Sequence, residues 1–237
     1  LLDKIDYEAG TVVVDGVEYP LTDRVFPTVD PQNPFALTPA EEEVMCRLEA
    51  AFTGCEKLQR HMRFLLEVGS LYKIRNGNLM FHACVPLNAD GSLKEVDVLG
   101  RALYDVMERY VRAAFFSHDA EESRRGRDLL WYLWLGEGSP LFAKSKMATF
   151  ELCLIADKAA RKEVKNPFYT LIEDERVIAG IFEDFGMDPE TSHIVCGHVP
   201  VKVKDGEDPV KCGGRVFMID GGFSRAYQPT TGIAGYT

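Results

Sequence analysis

The sequence predicts an α/β fold, because segments with the spacing of β-strands are interleaved with segments with the spacing of α-helices. Two apolar runs, residues 78–86 and 194–200, have the composition of buried strands, and each contains a histidine. Between these runs, apolar residues recur mostly at helical intervals. We therefore expect residues from about 38 to 190 to be mostly helical, and residues from about 191 to 237 to supply core strands of a sheet.

The first part of the chain predicts a hairpin followed by an irregular connection. Residues 11–14 and 17–19 resemble strands, and they flank Asp15 and Gly16. These two residue types suit the positive φ angles of a two-residue turn. Four prolines then predict an ordered but irregular backbone: Pro20, Pro27, Pro31 and Pro34.

A long helix is predicted to begin after Thr38. Thr38 can cap it, Pro39 occupies the first helical position, and Glu41 lies three residues after the cap. Apolar residues recur at helical spacing as far as Gly69, and Gly54 is the point at which this helix would bend.

Four further helices and four strands follow. The helices are predicted over residues 96–116, 121–135, 148–161 and 173–185. Residues 153–155, in the third of these, could equally form a strand. The strands are predicted over residues 72–74, 79–85, 193–196 and 215–219. The second strand carries His82, the third leads into Gly197 and His198, and the fourth ends in Asp220.

Composition and motifs exclude several classes of protein. A formal net charge of -10 argues against a nucleic-acid-binding protein, which should present a basic face. No apolar run approaches the roughly 18 to 20 residues needed to cross a bilayer, and no signal peptide opens the chain, so we expect no membrane partner. The sequence also lacks the Walker A, G-x-G-x-x-G, G-x-S-x-G and H-E-x-x-H motifs of common nucleotide-binding proteins and hydrolases.

The cysteines indicate a reducing compartment. Six are scattered along the chain without a Cys-x-x-Cys pair: Cys46, Cys55, Cys84, Cys153, Cys196 and Cys212. Four of the six occur in apolar patterns. We therefore expect reduced, buried thiols and a cytoplasmic protein.

Two histidines, His82 and His198, are the candidate metal ligands. Each lies where an apolar strand would leave a sheet, and α/β folds build their sites at the carboxyl ends of strands. Neutral imidazole is a common metal ligand, although either ring could instead be a structural histidine that bonds a backbone carbonyl. A third interpretation adds Cys84 and Cys196, each two residues from one histidine, as a zinc site with two thiolates and two imidazoles.

Glycines and basic residues near the end of the chain are candidate anion contacts. Gly221 and Gly222 follow a predicted strand, where they could form a simple turn or leave amide groups free for an anion. Lys202, Lys204 and Arg225 are candidate substrate-binding residues. Other basic residues could also contact phosphate: Arg124, Arg125, Arg127, Lys144 and Lys146.

Three segments carry a resemblance to a known family. They read NGNLMFHACVPL from residue 76, HIVCGHVPVKVKDGEDPVK from residue 193, and VFMIDGGFSRAYQPTTGIAGYT from residue 216. They closely resemble the class III fructose-1,6-bisphosphatases, which belong to the calcineurin-like metallophosphatase superfamily. The resemblance implies a β-sandwich flanked by helices, present here only in part and with a helical insertion, and a pair of metal ions, with manganese as the expected metal.

The resemblance also assigns roles to the two histidines. His82 matches the mid-chain metal ligand of the family, with Ala83 and Cys84 in place of its usual glycines, and His198 matches the late Gly-His ligand. The D-x-H, G-D-x-x-D and Asn-His blocks of the family are absent. They would precede residue 1, so residues 1–237 resemble the C-terminal part of such an enzyme. The catalytic residues are then expected in an N-terminal half that would be its partner.

The resemblance implies hydrolysis of the 1-phosphate of fructose 1,6-bisphosphate, a step of gluconeogenesis, with a phosphorylated sugar as substrate. This chain alone should then be inactive. Two alternatives stay open: a metallophosphatase that acts on a nucleotide or phosphoprotein, and a non-catalytic module that binds a metabolite or a partner. The predicted helices that begin near residues 38 and 96 could also form the interface of a homo-oligomer.

Overall fold

A computed structural model describes residues 1–96, 98–221 and 224–233. The chain falls into two compact units. The first comprises Leu1–Leu65 and Met147–Glu163, and the second comprises Leu66–Lys146 and Val164–Thr237. Helices and mixed sheets occur together, which confirms the predicted α/β class.

The first unit contains a three-stranded antiparallel sheet. Its strands are β1 (Ile5–Asp6), β2 (Thr11–Val14) and β3 (Val17–Pro20), in that order. The predicted hairpin is confirmed, because Asp15 and Gly16 have φ angles of 51° and 78° between β2 and β3. Val12 and Val14 point into a small core, where they pack with Ile155.

Two helices replace the single long helix that was predicted after Thr38. They are α1 (Pro39–Thr53) and α2 (Glu56–Val68). The capping box of Thr38 and Glu41 is present as predicted. At Gly54 the chain does not bend a continuous helix; the Gly54 N–H closes α1 on the carbonyl of Ala50, and the next helix starts two residues later.

The fifth helix of the chain resolves an ambiguity of the sequence. It is α5 (Thr149–Leu154), which is followed by a short 3-10 turn at Ala159–Arg161. Ile155, immediately after α5, forms an isolated antiparallel bridge with Leu21. The segment predicted to be either helix or strand is therefore helical, with one residue of strand pairing at its end.

The second unit contains a five-stranded mixed sheet. Its strands are β4 (Tyr72–Arg75), β5 (Asn78–Phe81), β6 (His193–Cys196), β7 (Val210–Lys211) and β8 (Val216–Met218). Their order across the sheet is β4-β5-β6-β8-β7. The three central strands are parallel, and the two outer strands are antiparallel to their neighbours. The carboxyl ends of β5, β6 and β8 therefore meet at one edge of the sheet.

The second unit also contains helices, some of which pack against this sheet. They are α3 (Gly100–Phe116), α4 (Ala120–Leu135), α6 (Phe168–Leu171), α7 (Glu175–Asp184) and α8 (Gln228–Thr231). Leu79, Ile194 and Val216 from the three central strands are completely buried, and Tyr104 and Phe182 from α3 and α7 pack in the same cluster. Burial on this scale fixes the register of the strands that lead into the site.

The start of α3 differs from the prediction. The helix begins at Gly100, four residues later than expected, where Gly100 has a φ of 47°. The preceding residue, Leu99, provides no capping side chain. Instead, the carboxylate of Asp184 at the end of α7 accepts a hydrogen bond of 2.6 Å from the N–H of Arg101. This cap comes from a distant part of the sequence, which local patterns do not reveal.

The cysteines are free but not uniformly buried. Cys84, Cys196 and Cys212 are buried, whereas Cys46, Cys55 and Cys153 are exposed. The expectation that the thiols are buried is thus wrong for the second group: Cys46 and Cys153 lie on the exposed faces of α1 and α5, and Cys55 lies between α1 and α2. No helix in the described ranges combines the length and apolar character required to cross a membrane.

Candidate metal centre

Three polar side chains follow the three parallel strands of the larger sheet. His82 comes directly after β5, His198 lies two residues after β6, and Asp220 lies two residues after β8. Adjacent parallel strands end at the same edge, so the topology gathers these residues at one place. This is the location at which open α/β sheets bind ligands.

The two candidate histidines contact one another. His82 Nε2 lies 3.0 Å from His198 Nδ1, and the ring planes are inclined by 69°. The strand pairing continues one residue beyond β5 and β6, because the N–H of Gly197 donates to the carbonyl of His82 at 2.9 Å. Each histidine therefore lies at a strand exit, and the structure brings the two together.

Backbone conformation turns His198 toward His82. His198 has a φ of 66°, in the left-handed region that non-glycine residues seldom adopt. The left-handed conformation thus occurs at His198 and not at the glycine that precedes it. A Cβ at Gly197 would lie 3.5 Å from the Cβ of Asp220 and 3.6 Å from the carbonyl oxygen of His82, which are ordinary van der Waals contacts.

A backbone carbonyl holds the other nitrogen of His198. His198 Nε2 lies 3.0 Å from the carbonyl oxygen of Phe142. A carbonyl oxygen only accepts, so this contact requires the hydrogen on Nε2 and leaves the lone pair on Nδ1. The lone pair then faces His82, which is the arrangement that a metal ligand needs.

The surroundings also keep the ring of His198 neutral. Burial lowers the pKa of His198, and the neighbouring His82 and the cation of Lys144 lower it further. The carbonyl of Phe142 and the carboxylate of Asp220 act in the opposite direction, but the net pKa remains below its ordinary value. A neutral imidazole can offer its lone pair to a cation.

The zinc site that was considered with Cys84 and Cys196 is not formed. The predicted strand over residues 79–85 ends at Phe81, so the alternation that would place Cys84 on the face of His82 is lost. Burial raises the pKa of both thiols, to about 12 for Cys196. No group of three or more possible metal ligands, with or without these thiols, occurs in the described part of the chain.

The predicted substrate-binding residues lie in different environments. Lys202, Lys204 and Arg225 are all exposed, and Lys204 donates from Nζ to the carbonyl of Pro229 at 2.9 Å. Gly221 is buried directly after Asp220, and Gly222 lies outside the described residues. Their role in substrate binding stays a prediction.

Two charged residues near His198 were not singled out by the sequence. Lys144 and Asp220 both act on the pKa of His198. Lys144 was one of several basic residues without a distinguishing local signal. Asp220 could have been found from its position at the end of a third parallel strand, but that required the strand order.

The two histidines fit part of a metal centre. Imidazole nitrogens are ligands that divalent transition metals prefer, and the carbonyl of Phe142 orients one of the two rings. Within the described ranges, however, no three or more His, Cys, Asp or Glu side chains are grouped so that they could hold a metal ion. Two histidines alone are too few to hold a pair of metal ions, and their role as ligands stays a prediction.

Comparison with known proteins identifies the family. The sequence model of the Firmicute fructose-1,6-bisphosphatase family matches residues 1–237. Proteins named fructose-1,6-bisphosphatase class 3 from Fusobacterium nucleatum, Clostridium novyi and Bacteroides fragilis are 52%, 47% and 49% identical to this chain. Each alignment covers 100% of this chain but 38%, 36% and 37% of the respective relative.

The chain thus spans less than two fifths of the length of these relatives. No solved structure matches it. Because the family match extends over the whole sequence, the chain belongs to the Firmicute fructose-1,6-bisphosphatase family.

Proposed function

We propose that this chain is part of an enzyme that hydrolyses the 1-phosphate of fructose 1,6-bisphosphate, a step of gluconeogenesis in the cytoplasm. The observation that carries the proposal is the contact of 3.0 Å between His82 Nε2 and His198 Nδ1 at the ligand-binding edge of the sheet. The names of the relatives support a phosphorylated sugar as the substrate.

In this proposal His82 and His198 hold divalent cations through Nε2 and Nδ1. Such cations, when bound, polarise a phosphoryl group and make a water molecule more acidic. The resemblance favours manganese, although imidazole nitrogen also suits iron or zinc. The carbonyl of Phe142 keeps the ring of His198 oriented, and Asp220 adds negative charge at the same edge.

The remaining ligands are proposed to come from other segments of a longer enzyme. Two imidazoles cannot position two cations without bridging carboxylates, and the family carries these in blocks that this sequence lacks. We propose that residues 1–237 form the C-terminal part of that enzyme and that its N-terminal half completes the centre. The greater length of the relatives supports this arrangement.

Binding of the phosphates is proposed to use nearby positive charge and free amides. Lys144 is the first candidate, because its charge acts on His198. Lys202, Lys204, Arg225, Gly221 and Gly222 are further candidates. Lys204 would have to break its hydrogen bond with the carbonyl of Pro229 to reach a ligand.

We also propose that the complete enzyme is a homo-oligomer. Helix α1 has no buried residue, and it leaves Val44, Leu48 and Phe52 exposed. Either a second copy or the rest of the polypeptide would cover this apolar surface. Sedimentation of the complete enzyme distinguishes the two, since only the first gives a mass that is a multiple of one polypeptide.

The proposed function is tested with the complete enzyme. His82→Ala and His198→Ala should each lower metal content and abolish phosphatase activity, whereas His118→Ala, at an exposed histidine, should change neither. Fructose 1,6-bisphosphate should be the preferred substrate in a panel with a nucleotide and a phosphopeptide. Preference for either of the others, or saturable sugar binding without turnover, would replace this proposal with the corresponding alternative.

A further inference from the structure

A loop next to the histidine pair is built around a buried serine. Residues 138–143 follow α4, and we call them the Ser139 loop. The side chain of Ser139 has no exposed surface. The backbone turns through positive φ at Gly138 (77°) and at Ala143 (55°), so the path of the loop is not that of a regular element. Side-chain hydrogen bonds must then fix it.

The hydroxyl of Ser139 makes as many hydrogen bonds as its chemistry permits. It donates to the carbonyl of Leu133 at 2.7 Å and accepts from the N–H groups of Leu141 and Phe142, each at 3.2 Å. One donor and two acceptor positions are all that a hydroxyl has. The backbone of Ser139 adds a further bond, because its carbonyl accepts from the N–H of Ala143 at 2.9 Å.

Two carbonyls of the Ser139 loop bond to the segments that carry the candidate ligands. The carbonyl of Pro140 accepts from the N–H of Cys84, two residues after His82, at 3.3 Å. The carbonyl of Phe142 lies 3.0 Å from His198 Nε2. The hydroxyl of Ser139 therefore binds the N–H of Phe142, and the carbonyl of the same residue orients His198.

The far end of the Ser139 loop is also anchored. The carbonyl of Ala143 accepts from the N–H of Asn166 at 2.8 Å, and the side chain of Asn166 accepts from the N–H groups of Leu87 and Phe168. Asn166 is itself buried. The loop is thus held at both ends, and the hydroxyl of Ser139 determines the position of the segment between them.

We infer that Ser139 is a positioning residue of the candidate metal centre. Its hydroxyl shapes the Ser139 loop so that the carbonyl of Phe142 keeps the hydrogen of His198 on Nε2 and the lone pair on Nδ1, toward His82. The purpose of this arrangement, metal binding, rests on the proposed function. The tautomer of His198 does not depend on the proposed function, because the ring and its neighbours determine it in the absence of metal.

The test measures the tautomer of the His198 ring directly. The complete enzyme, free of metal and labelled with nitrogen-15 only at histidine, is examined by NMR at a pH well above the roughly 6.5 at which an ordinary histidine titrates. His198 is assigned from the signals that His198→Gln lacks. We expect Nε2 to carry the hydrogen in the unaltered protein. In Ser139→Ala, the ratio of this tautomer to the other should fall several-fold.

A matched control distinguishes loss of the Ser139 hydrogen bonds from general destabilisation of the protein. Ser192 is another buried serine, located before β6, and Ser192→Ala should leave the tautomer ratio unchanged. If Ser139→Ala does not fold, Ser139→Cys keeps a weak donor and acceptor and should give an intermediate ratio. The inference fails if the unaltered His198 carries its hydrogen on Nδ1, or if the folded Ser139 variant retains the unaltered ratio.

The outcomes also distinguish this inference from the proposed function. Hydrogen on Nε2 that depends on Ser139, in an enzyme that does not hydrolyse fructose 1,6-bisphosphate, would contradict only the function. Full sugar-phosphatase activity with a tautomer ratio that is insensitive to Ser139 would contradict only the inference.

Discussion

His82 Nε2 lies 3.0 Å from His198 Nδ1, although 116 residues separate the two histidines in the sequence. The contact follows from the parallel pairing of β5 and β6, which extends through the hydrogen bond from Gly197 to the carbonyl of His82. Because the carbonyl of Phe142 requires the hydrogen of His198 on Nε2, His82 must donate in this contact. Binding of a cation through Nε2 of His82 would replace this hydrogen bond and would require the other tautomer of His82.

The isolated 237-residue chain should have no phosphatase activity. Two imidazoles provide no bridging carboxylate, and the described part of the chain has no group of three or more ligands. The measurement is phosphate release from fructose 1,6-bisphosphate with added manganese, with the complete enzyme as the positive control. Substantial turnover by the purified chain would mean that it builds a complete centre by itself.

The pKa of His198 should respond in opposite directions to two nearby substitutions. Asp220 raises this pKa and Lys144 lowers it. Asp220→Asn should therefore lower the pKa of His198 further, and Lys144→Ala should raise it toward its ordinary value. NMR titration of the histidine ring measures both. Shifts of the same sign in the two variants would show that the charges do not act on the ring as the structure indicates.

The local sequence was sufficient to predict that the two histidines lie at strand exits but not what orients their rings. Apolar runs that end at His82 and His198 reveal strand exits, and the hairpin at Asp15 and Gly16 and the capping box at Thr38 are equally local signals. These features depend on residues within a few positions of one another, which is the range over which sequence patterns are informative.

The remaining features depend on contacts between distant segments. Nothing in the residues around Phe142 shows that its carbonyl will meet His198, 56 positions away. The start of α3 was misplaced for the same reason, since its cap is Asp184, 83 positions from Arg101. Strand order, which only tertiary structure provides, also places Asp220 beside the histidines.

Removal of the distant cap of α3 should destabilise the protein. Asp184→Ala deletes the acceptor for the N–H of Arg101, and loss of such a cap typically costs about 0.5 to 2 kcal/mol in the free energy of unfolding. Urea-induced unfolding measures the change. Asp184 is the last residue of α7, where a negative charge is unfavourable, so part of the loss will be offset.

The neighbouring residue provides the control for this offset. Glu183→Ala removes a negative charge from the same end of α7 without removing the cap, so it should be neutral or slightly stabilising. Equal unfolding free energies for the two variants would show that the carboxylate of Asp184 does not cap α3.

The packing of α3 against α4 should be sensitive to a single methyl group. Gly126 on α4 is buried, and a Cβ at this position would collide with the carbonyl oxygen of Tyr110 and with the backbone of Ala114, whose Cα would be 2.8 Å away. Backbone atoms of a helix cannot move aside as a flexible side chain can. Gly126→Ala should therefore lower the free energy of unfolding by about 1 to 3 kcal/mol.

Gly180, on the exposed side of α7, is the matched control. A Cβ there meets no atom within 4 Å, so Gly180→Ala should raise the free energy of unfolding by about 0.5 to 1 kcal/mol through helix propensity alone. Urea unfolding of both variants compares the two effects. If Gly126→Ala were stabilised as well, α3 and α4 would have to lie farther apart in the protein than the structure shows. Leu133 on α4 would then also lie elsewhere. Because its carbonyl accepts from the hydroxyl of Ser139, the position of the Phe142 carbonyl that orients His198 would change with it.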